Sequence, residues 1–259
     1  MNIFKACLHF ALLCGALVAT GQPASARTLE EIRKDGRVIV ATEGQFAPFN
    51  FFKGANLEGF EIDLTNEAFK RMGLKVEWKA ISFDALLTGL RQDRWDFVVA
   101  SHEITEERKK VASFANPHYC SSGVVVTRSA EVKKTIDLTG RTVSVATGTT
   151  AYDWVKKNVA VKDLKNFPQD GDARAAVLTG RADAWVTDRV TAEFALHANP
   201  GSGLRILSEV LFQEHLAAVA AKGNTALLNE WNKALATMVA DGSYAALMKK
   251  WSDVDLTCH

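Results

Sequence analysis

Short unbroken apolar runs alternate along this chain with stretches in which apolar residues return every third or fourth position, the pattern of buried strands alternating with amphipathic helices. The runs at 38–42 (VIVAT), 97–100 (FVVA) and 123–127 (GVVVT) predict strands, as does 75–79 (KVEWK). Helical spacing predicts helices over 61–71 and 151–157, with a further helix starting at Phe83. Residues 135–140 (TIDLTG) read as a loop into TVSVATGTT (142–150), a strand ending in a small-residue turn whose backbone N–H groups can face an anion. Alternating strand and helix indicates an α/β chain.

Two passages echo one another. LRQDRWDFVVAS (90–101) and VLTGRADAWVTD (177–188) each carry Arg-x-Asp just before a short apolar strand and follow a helix-like stretch. If each belongs to its own α/β lobe, Ser101 and Asp188 end equivalent strands. Ligands of open α/β sheets bind beyond the carboxyl ends of the strands, so facing lobes put both residues in one cleft.

Between Ile104 and Lys110 the sequence ITEERKK reads as a helix start, with Thr105 as N-cap and Glu106 and Glu107 in the first turn. Arg108 in that turn faces the positive end of the helix dipole, at a cost of roughly 0.3–1 kcal/mol unless an anion answers it. A guanidinium fork beside free N–H groups suits a carboxylate. The alternative is an ordinary surface pair of Arg108 with Glu103, Glu106 or Glu107.

Composition narrows the class. The chain is 47% apolar with a net charge of +1, which fits a globular protein and offers no basic patch for nucleic acid. At the N-terminus, Lys5, the apolar stretch 6–20 and Ala24-Ser25-Ala26 read as a cleavable signal peptide over 1–26, so the mature chain begins near Arg27 and is periplasmic. Cys14 raises a lipoprotein alternative, disfavoured by the large Leu13 before it. No second apolar run approaches the ~20 residues of a membrane span. The mature chain keeps Cys120 and Cys258, an even pair in an oxidising compartment, which points to one disulfide. The six histidines are scattered and no spaced Cys/His cluster exists, so neither a metal nor another cofactor is expected.

Five stretches occur in order: ATEGQFAPFNF (41–51), GFEIDL (59–64), ITEERKK (104–110), FANPHY (114–119) and GRADAWVTD (180–188). Together they resemble the amino-acid-binding branch of the bacterial extracellular solute-binding proteins, family 3, receptors that feed ABC importers. The resemblance covers essentially all of the mature chain. It implies the α/β two-lobe type II periplasmic binding-protein fold with discontinuous lobes, 27–119 with 216–259 and 123–211, joined by hinge strands near 120–122 and 212–215. It also implies a monomer, an inner-membrane ABC permease as partner, and a terminal helix packed on the first lobe, which would bring Cys258 to Cys120.

By the same resemblance Phe46 and Phe83 flank the ligand side chain, Arg108 with Thr149 and Thr150 takes its α-carboxylate, and Asp188 accepts its α-ammonium. Ser101 faces the cleft by the strand-end argument. Without the family, the two phenylalanines would be core and Asp188 would pair with Arg189. Two positions depart from relatives: Glu43 stands where the glutamine receptor and the lysine/arginine/ornithine receptor have Asp, and Glu103 where relatives have Ser or Thr. Acids at 43, 103 and 188 around one arginine favour a ligand with an extra cation or several donors, with protonated His102 able to offset part of the surplus. Alternatively Glu103 turns out and pairs with Lys109 or Lys110. The same fold hosts cyclohexadienyl dehydratase, an enzyme reading weighed against because only one carboxylate, Glu103, looks unusual. A receptor-kinase sensor domain would need a membrane span and a cytoplasmic module.

Overall fold

The computed structural model describes residues 26–258, so the expected signal peptide, with Cys14, lies outside the described residues apart from Ala26. Helix α1 (Leu29–Asp35) opens on Thr28, whose hydroxyl accepts the Glu31 amide while the Glu31 carboxylate accepts the Thr28 amide. It leads into strand β1 (Arg37–Thr42), followed by an antiparallel ribbon of β2 (Gln45–Phe46), β3 (Asn50–Lys53) and β4 (Asn56–Glu58). Then come α2 (Phe60–Arg71), β5 (Lys75–Ala80), α3 (Phe83–Arg91), β6 (Phe97–Glu103), the short α4 (Glu106–Val111) and β7 (Ala112–Thr127). The next region holds β8 (Thr142–Ala146), α5 (Thr150–Asn158), β9 (Asp163–Phe167), α6 (Asp170–Leu178), β10 (Ala184–Asp188), α7 (Arg189–Ala198) and β11 (Arg205–Ile206). The chain returns through β12 (Phe212–Ala221) and closes with α8 (Thr225–Ala240) and α9 (Ser243–Trp251).

The strands follow the order β5-β1-β6-β12-β7-β10-β8-β9, with β11 paired to β7. β1 runs parallel to β5 and β6, and β8 parallel to β9 and β10, whereas β7 and β12 are antiparallel to their neighbours. Each end of this path carries apolar clusters on both faces. Phe69, Phe97 and Trp231 lie on one side and Leu86, Leu90 and Val98 on the other in the first half; Val126, Trp185 and Ala192 oppose Val143, Val145 and Val186 in the second. Burial on both faces is why the strands read as unbroken apolar runs rather than alternating ones. Separate cores make two lobes, and β7 and β12 pass between them side by side, pairing Ser121 with Glu214 and Cys120 with His215.

Two expectations change in detail. The run at 123–127 is only the end of β7, which already begins at Ala112 and includes FANPHY. Pro117 hid this, because proline removes a ladder donor. The structure absorbs it with a register shift between the Tyr119–Leu216 and Pro117–Ala217 pairs. The loop 135–140 contains a 3-10 turn over Thr135–Leu138.

Beyond α9 the chain lies against the start of the crossing strand. Cys120 and Cys258 form a disulfide, the Cys120 amide donates to the Leu256 carbonyl at 2.8 Å, and Leu256 is buried in the first lobe. A cross-link over 138 residues restricts the unfolded chain by up to about 4–5 kcal/mol in the loop-entropy account. Cys258→Ser in the mature protein is therefore expected to lower the urea midpoint measurably, and an unchanged midpoint would show that the bond contributes no stability.

Candidate functional site

The carboxyl ends of β1, β6, β8 and β10 converge between the lobes around a small cavity of about 40 Å³. Glu43, Phe46, Phe83, Ser101, Arg108, Thr149, Thr150 and Asp188 all line it. So do Asp170, Thr187, Phe212, Glu214 and Leu216, none of which the sequence singled out. Among the described residues no group of three His, Cys, Asp or Glu side chains is placed to hold a metal, and no helix is long and apolar enough to cross a membrane.

Thr105 caps α4 by accepting the Arg108 amide at 3.1 Å, which fixes the first turn and aims the Arg108 side chain across the cleft. Its guanidinium donates to two neutral acceptors, the carbonyls of Glu103 (2.9 Å) and Gly148 (3.0 Å), and lies 5.5 Å from the Phe83 ring centre. The acids of its own helix are engaged elsewhere, Glu106 with Lys109 at 2.9 Å and Glu107 with Lys110 at 2.6 Å. The surface-pair alternative for Arg108 does not occur with either. Opposite stands α5, whose N-cap Thr149 accepts the Tyr152 amide and donates to the Ala146 carbonyl, while the first-turn amides of Thr150 and Ala151 have no intrahelical acceptor.

Asp188 caps α7 with Oδ1, which accepts the Thr191 amide at 3.0 Å; its buried Oδ2 makes no hydrogen bond of ordinary geometry, although the Ser121 hydroxyl is close enough to favour the charged carboxylate. Arg189 turns instead toward Glu193 and Ser122. Burial raises the Asp188 carboxyl to about 6. Ser101 adopts a left-handed φ of 53°, an uncommon conformation for a residue with a Cβ. It is held there by Glu61, whose carboxylate accepts both the Ser101 amide (2.8 Å) and hydroxyl (3.1 Å). Glu61 also meets His118 Nε2 and the Asn50 amide group, and Asn50 in turn accepts the Gly44 amide next to Glu43. Glu61, Asn50 and His118, from the motifs GFEIDL, ATEGQFAPFNF and FANPHY, thus form a buried polar frame beneath the cavity.

Two expectations are corrected. Glu103 does not line the cavity, nor does it pair with Lys109 or Lys110; its carboxylate accepts the backbone amide of His215 on β12, because Glu103 pairs there with Leu216 across the β6–β12 ladder. His102 cannot offset the acids. It is buried behind Phe83, stacked on that ring at 4.4 Å between centroids, and desolvation, aided by Arg108, holds its pKa well below the ordinary value, so it stays neutral.

The acid surplus is nonetheless larger than the sequence indicated. Glu43 is raised to about 8 by burial and by nearby Asp170, Asp170 to about 7 by burial, and Glu214 to about 8 by burial and by Asp188. The Asp170 amide donates to Glu43 at 2.9 Å across the cleft, and Asp170 Oδ1 accepts Trp185 Nε1 and the Thr187 hydroxyl. Glu214 had one readable signal: it falls in phase with Phe212 and Leu216, while Gln213 and His215 between them are exposed. Nothing in QDGD distinguishes Asp170 from Asp172, since its partners Trp185 and Thr187 come from β10.

A sequence profile of the bacterial extracellular solute-binding proteins, family 3, matches residues 38–254. The L-cystine-binding protein TcyJ of Escherichia coli (strain K12) is 31% identical over 234 residues, 88% of this chain and 87% of that protein. A probable amino-acid ABC transporter-binding protein of Haemophilus influenzae is 30% identical, covering 95% of this chain and 96% of its own. Among solved structures, an ancestral arginine-binding protein bound to arginine superposes with a TM-score of 0.80 at 36% identity, covering 83% of this chain and 98% of its own. With two α/β lobes around a cleft, the fold is that of the type II periplasmic binding proteins, and the chain belongs to the bacterial extracellular solute-binding proteins, family 3.

Proposed function

We propose that this protein is a periplasmic receptor that captures an amino acid with a cationic side chain and delivers it to an ABC permease of the inner membrane. The observation that carries the reading is the pairing, in one cavity, of the Arg108 guanidinium with the buried Oδ2 of Asp188, which makes no hydrogen bond of ordinary geometry. Arg108 and the first-turn amides at Thr150, next to the Thr149 cap, form the α-carboxylate end; Asp188 accepts the α-ammonium. Phe46 and Phe83 flank the side chain, Ser101 contributes polar backbone and hydroxyl groups, and Glu43 with Asp170 faces the cationic tail. A neutral zwitterion leaves this acid surplus unanswered, whereas an added cation reduces it. Relatives named for arginine favour the same class, while those named for cystine or for an amino-acid ABC transporter favour an amino acid without specifying a basic one. One chain supplies every lining residue, which suits a monomer.

The lobes follow the division 27–119 with 216–259 and 123–211, turning about 120–122 and 212–215. Bonds that cross the cleft, Asp170 to Glu43, Arg108 to Gly148 and Gln45 to Gln169, fit a closed state that surrounds a ligand. The sequence disfavours an enzyme of the dehydratase type on the ground that it holds a single unusual carboxylate. Four are buried here, so that ground no longer holds; the receptor reading rests on membership of a solute-binding family and on the fit of the acids to a cationic ligand.

Calorimetry with L-arginine tests the reading. Arg108→Ala is expected to weaken binding by about 2 kcal/mol or more, some 30-fold, with little change in the unliganded Tm; Arg108→Lys should also be impaired because a point charge lacks the fork. Unchanged affinity would refute the role of Arg108. Small-angle scattering should give a smaller radius of gyration with saturating ligand, and identical curves would contradict closure. The acids also set a pH dependence. A carboxyl raised on folding binds protons more tightly in the folded state, so its stabilisation is complete below the unfolded value and disappears as pH rises through the folded one. The values of about 6 to 8 at Asp188, Asp170, Glu43 and Glu214 belong to the closed cleft, so closure without ligand is opposed as pH rises from 5 to 8 and the unliganded radius of gyration should grow over that window. A radius that shrinks over that window would show these carboxyls to be ionised and paired.

A further inference from the structure

We propose that Glu214, on the second crossing strand, is a further ligand-binding residue that shares the ligand's ammonium with Asp188 and so selects ligands bearing a free primary ammonium. The inference rests on the receptor reading above and adds a residue and a chemical requirement to it. Strand period brings Glu214 to the site: Phe212, Glu214 and Leu216 lie at alternate positions of β12, and all three line the cavity. Phe212 pairs with Gly123 of β7, and Gly123 pairs on its other side with Asp188 of β10, so Glu214 sits one strand repeat from the level of Asp188. Glu214 pairs with Ser121 of β7, whose hydroxyl interacts with Asp188, so a single β7 residue stands between the two carboxylates on the cavity wall.

An ammonium is the group that satisfies both. It carries three N–H donors and a full positive charge, enough for Asp188 Oδ2 and a Glu214 oxygen together. A second carboxylate beside Asp188 otherwise costs both desolvation and repulsion. Glu214 already accepts one hydrogen bond, from the Thr150 hydroxyl, which orients the carboxyl toward the cavity from α5. Around it stand Asp188 of β10, Glu103 of β6, Arg108 of α4, Tyr119 of β7 and its own neighbour His215. Tyr119 is held neutral far above its usual range by burial, and Arg108 is the cation that opposes Glu214 and Glu103. In this closed cleft burial and Asp188 hold the Glu214 carboxyl at about 8, so a cleft closed without a cation keeps it mostly protonated at pH 7. Arrival of the ammonium ionises it, and the proton leaves to solvent. Binding is then linked to proton release and is strengthened as pH rises.

The experiment is calorimetry of the mature protein with L-arginine, L-lysine, L-ornithine and L-cystine, in buffers of differing ionisation enthalpy, between pH 6 and 9. Wild type should release protons on binding at pH 7. Glu214→Gln, which keeps the shape and the Thr150 hydrogen bond, should bind about tenfold or more weakly at pH 8, release fewer protons and lose most of its pH dependence. Glu214→Asp should recover part of the proton release, and Nα-acetyl-arginine should not bind wild type. If Glu214→Gln keeps wild-type affinity and proton count, or if wild type takes up protons as a Glu214 acid donating to the ligand carboxylate requires, the proposal is overturned. Failure of all four amino acids to bind wild type would instead overturn the receptor reading, and this proposal with it.

Discussion

Four carboxyl groups removed from water around one cavity, with one guanidinium among them, form the constraint on which the rest of this structure turns. An ionised carboxylate in that position costs several kcal/mol, whereas holding its proton costs about 1.4 kcal/mol for each unit by which pH exceeds its solution pKa. In the unliganded cleft protonation is therefore the cheaper course, and the raised values at Glu43, Asp170, Asp188 and Glu214 express it. On the function proposed here, a bound cation reverses the balance. The same groups that disfavour an empty closed cleft hold a suitable ligand tightly, so selectivity and closure come from one set of charges.

Such charges discriminate only if they are held still, and the chain commits buried polar chemistry to that purpose. Glu61 lies outside the cavity, yet it fixes Ser101 in a left-handed conformation and reaches Glu43 through Asn50 and Gly44. Helix caps position the other walls: Thr105 for Arg108, Thr149 for the α5 amides, Asp188 for α7. Between the lobes, among the described residues, β7 and β12 run as a pair. Three of their neighbours are anchored: the disulfide at Cys120, the Glu103 carboxylate on the His215 amide, and Tyr244 on the His118 carbonyl. The proposed hinge therefore lies beyond the anchored end, near Ser121 and Glu214.

The strands and helices were legible because burial on both sheet faces writes itself as apolar runs, and the weak echo between 90–101 and 177–188 correctly put Ser101 and Asp188 into one cavity. Arg108 was legible as a cation at the wrong end of a helix. Glu103 was misread, since its orientation depends on where β12 pairs, a non-local fact that no window around residue 103 contains. Asp170, at the start of α6, is defined by Trp185 and Thr187 on β10, and Glu43 by an amide contributed from the other lobe. Local sequence carries which residues are acids; the fold decides which of them lose their water.

The central claim is that surplus acid selects a positively charged amino acid. Thermal-shift titration of the mature protein at pH 7 with L-arginine, L-lysine, L-glutamine and L-glutamate tests it most directly, because ligand at 100 times its Kd adds about 2.7 kcal/mol to stability. The account predicts a clear rise in Tm with arginine or lysine, less with glutamine and none with glutamate. Stabilisation by glutamate equal to or above that by the basic amino acids would contradict it.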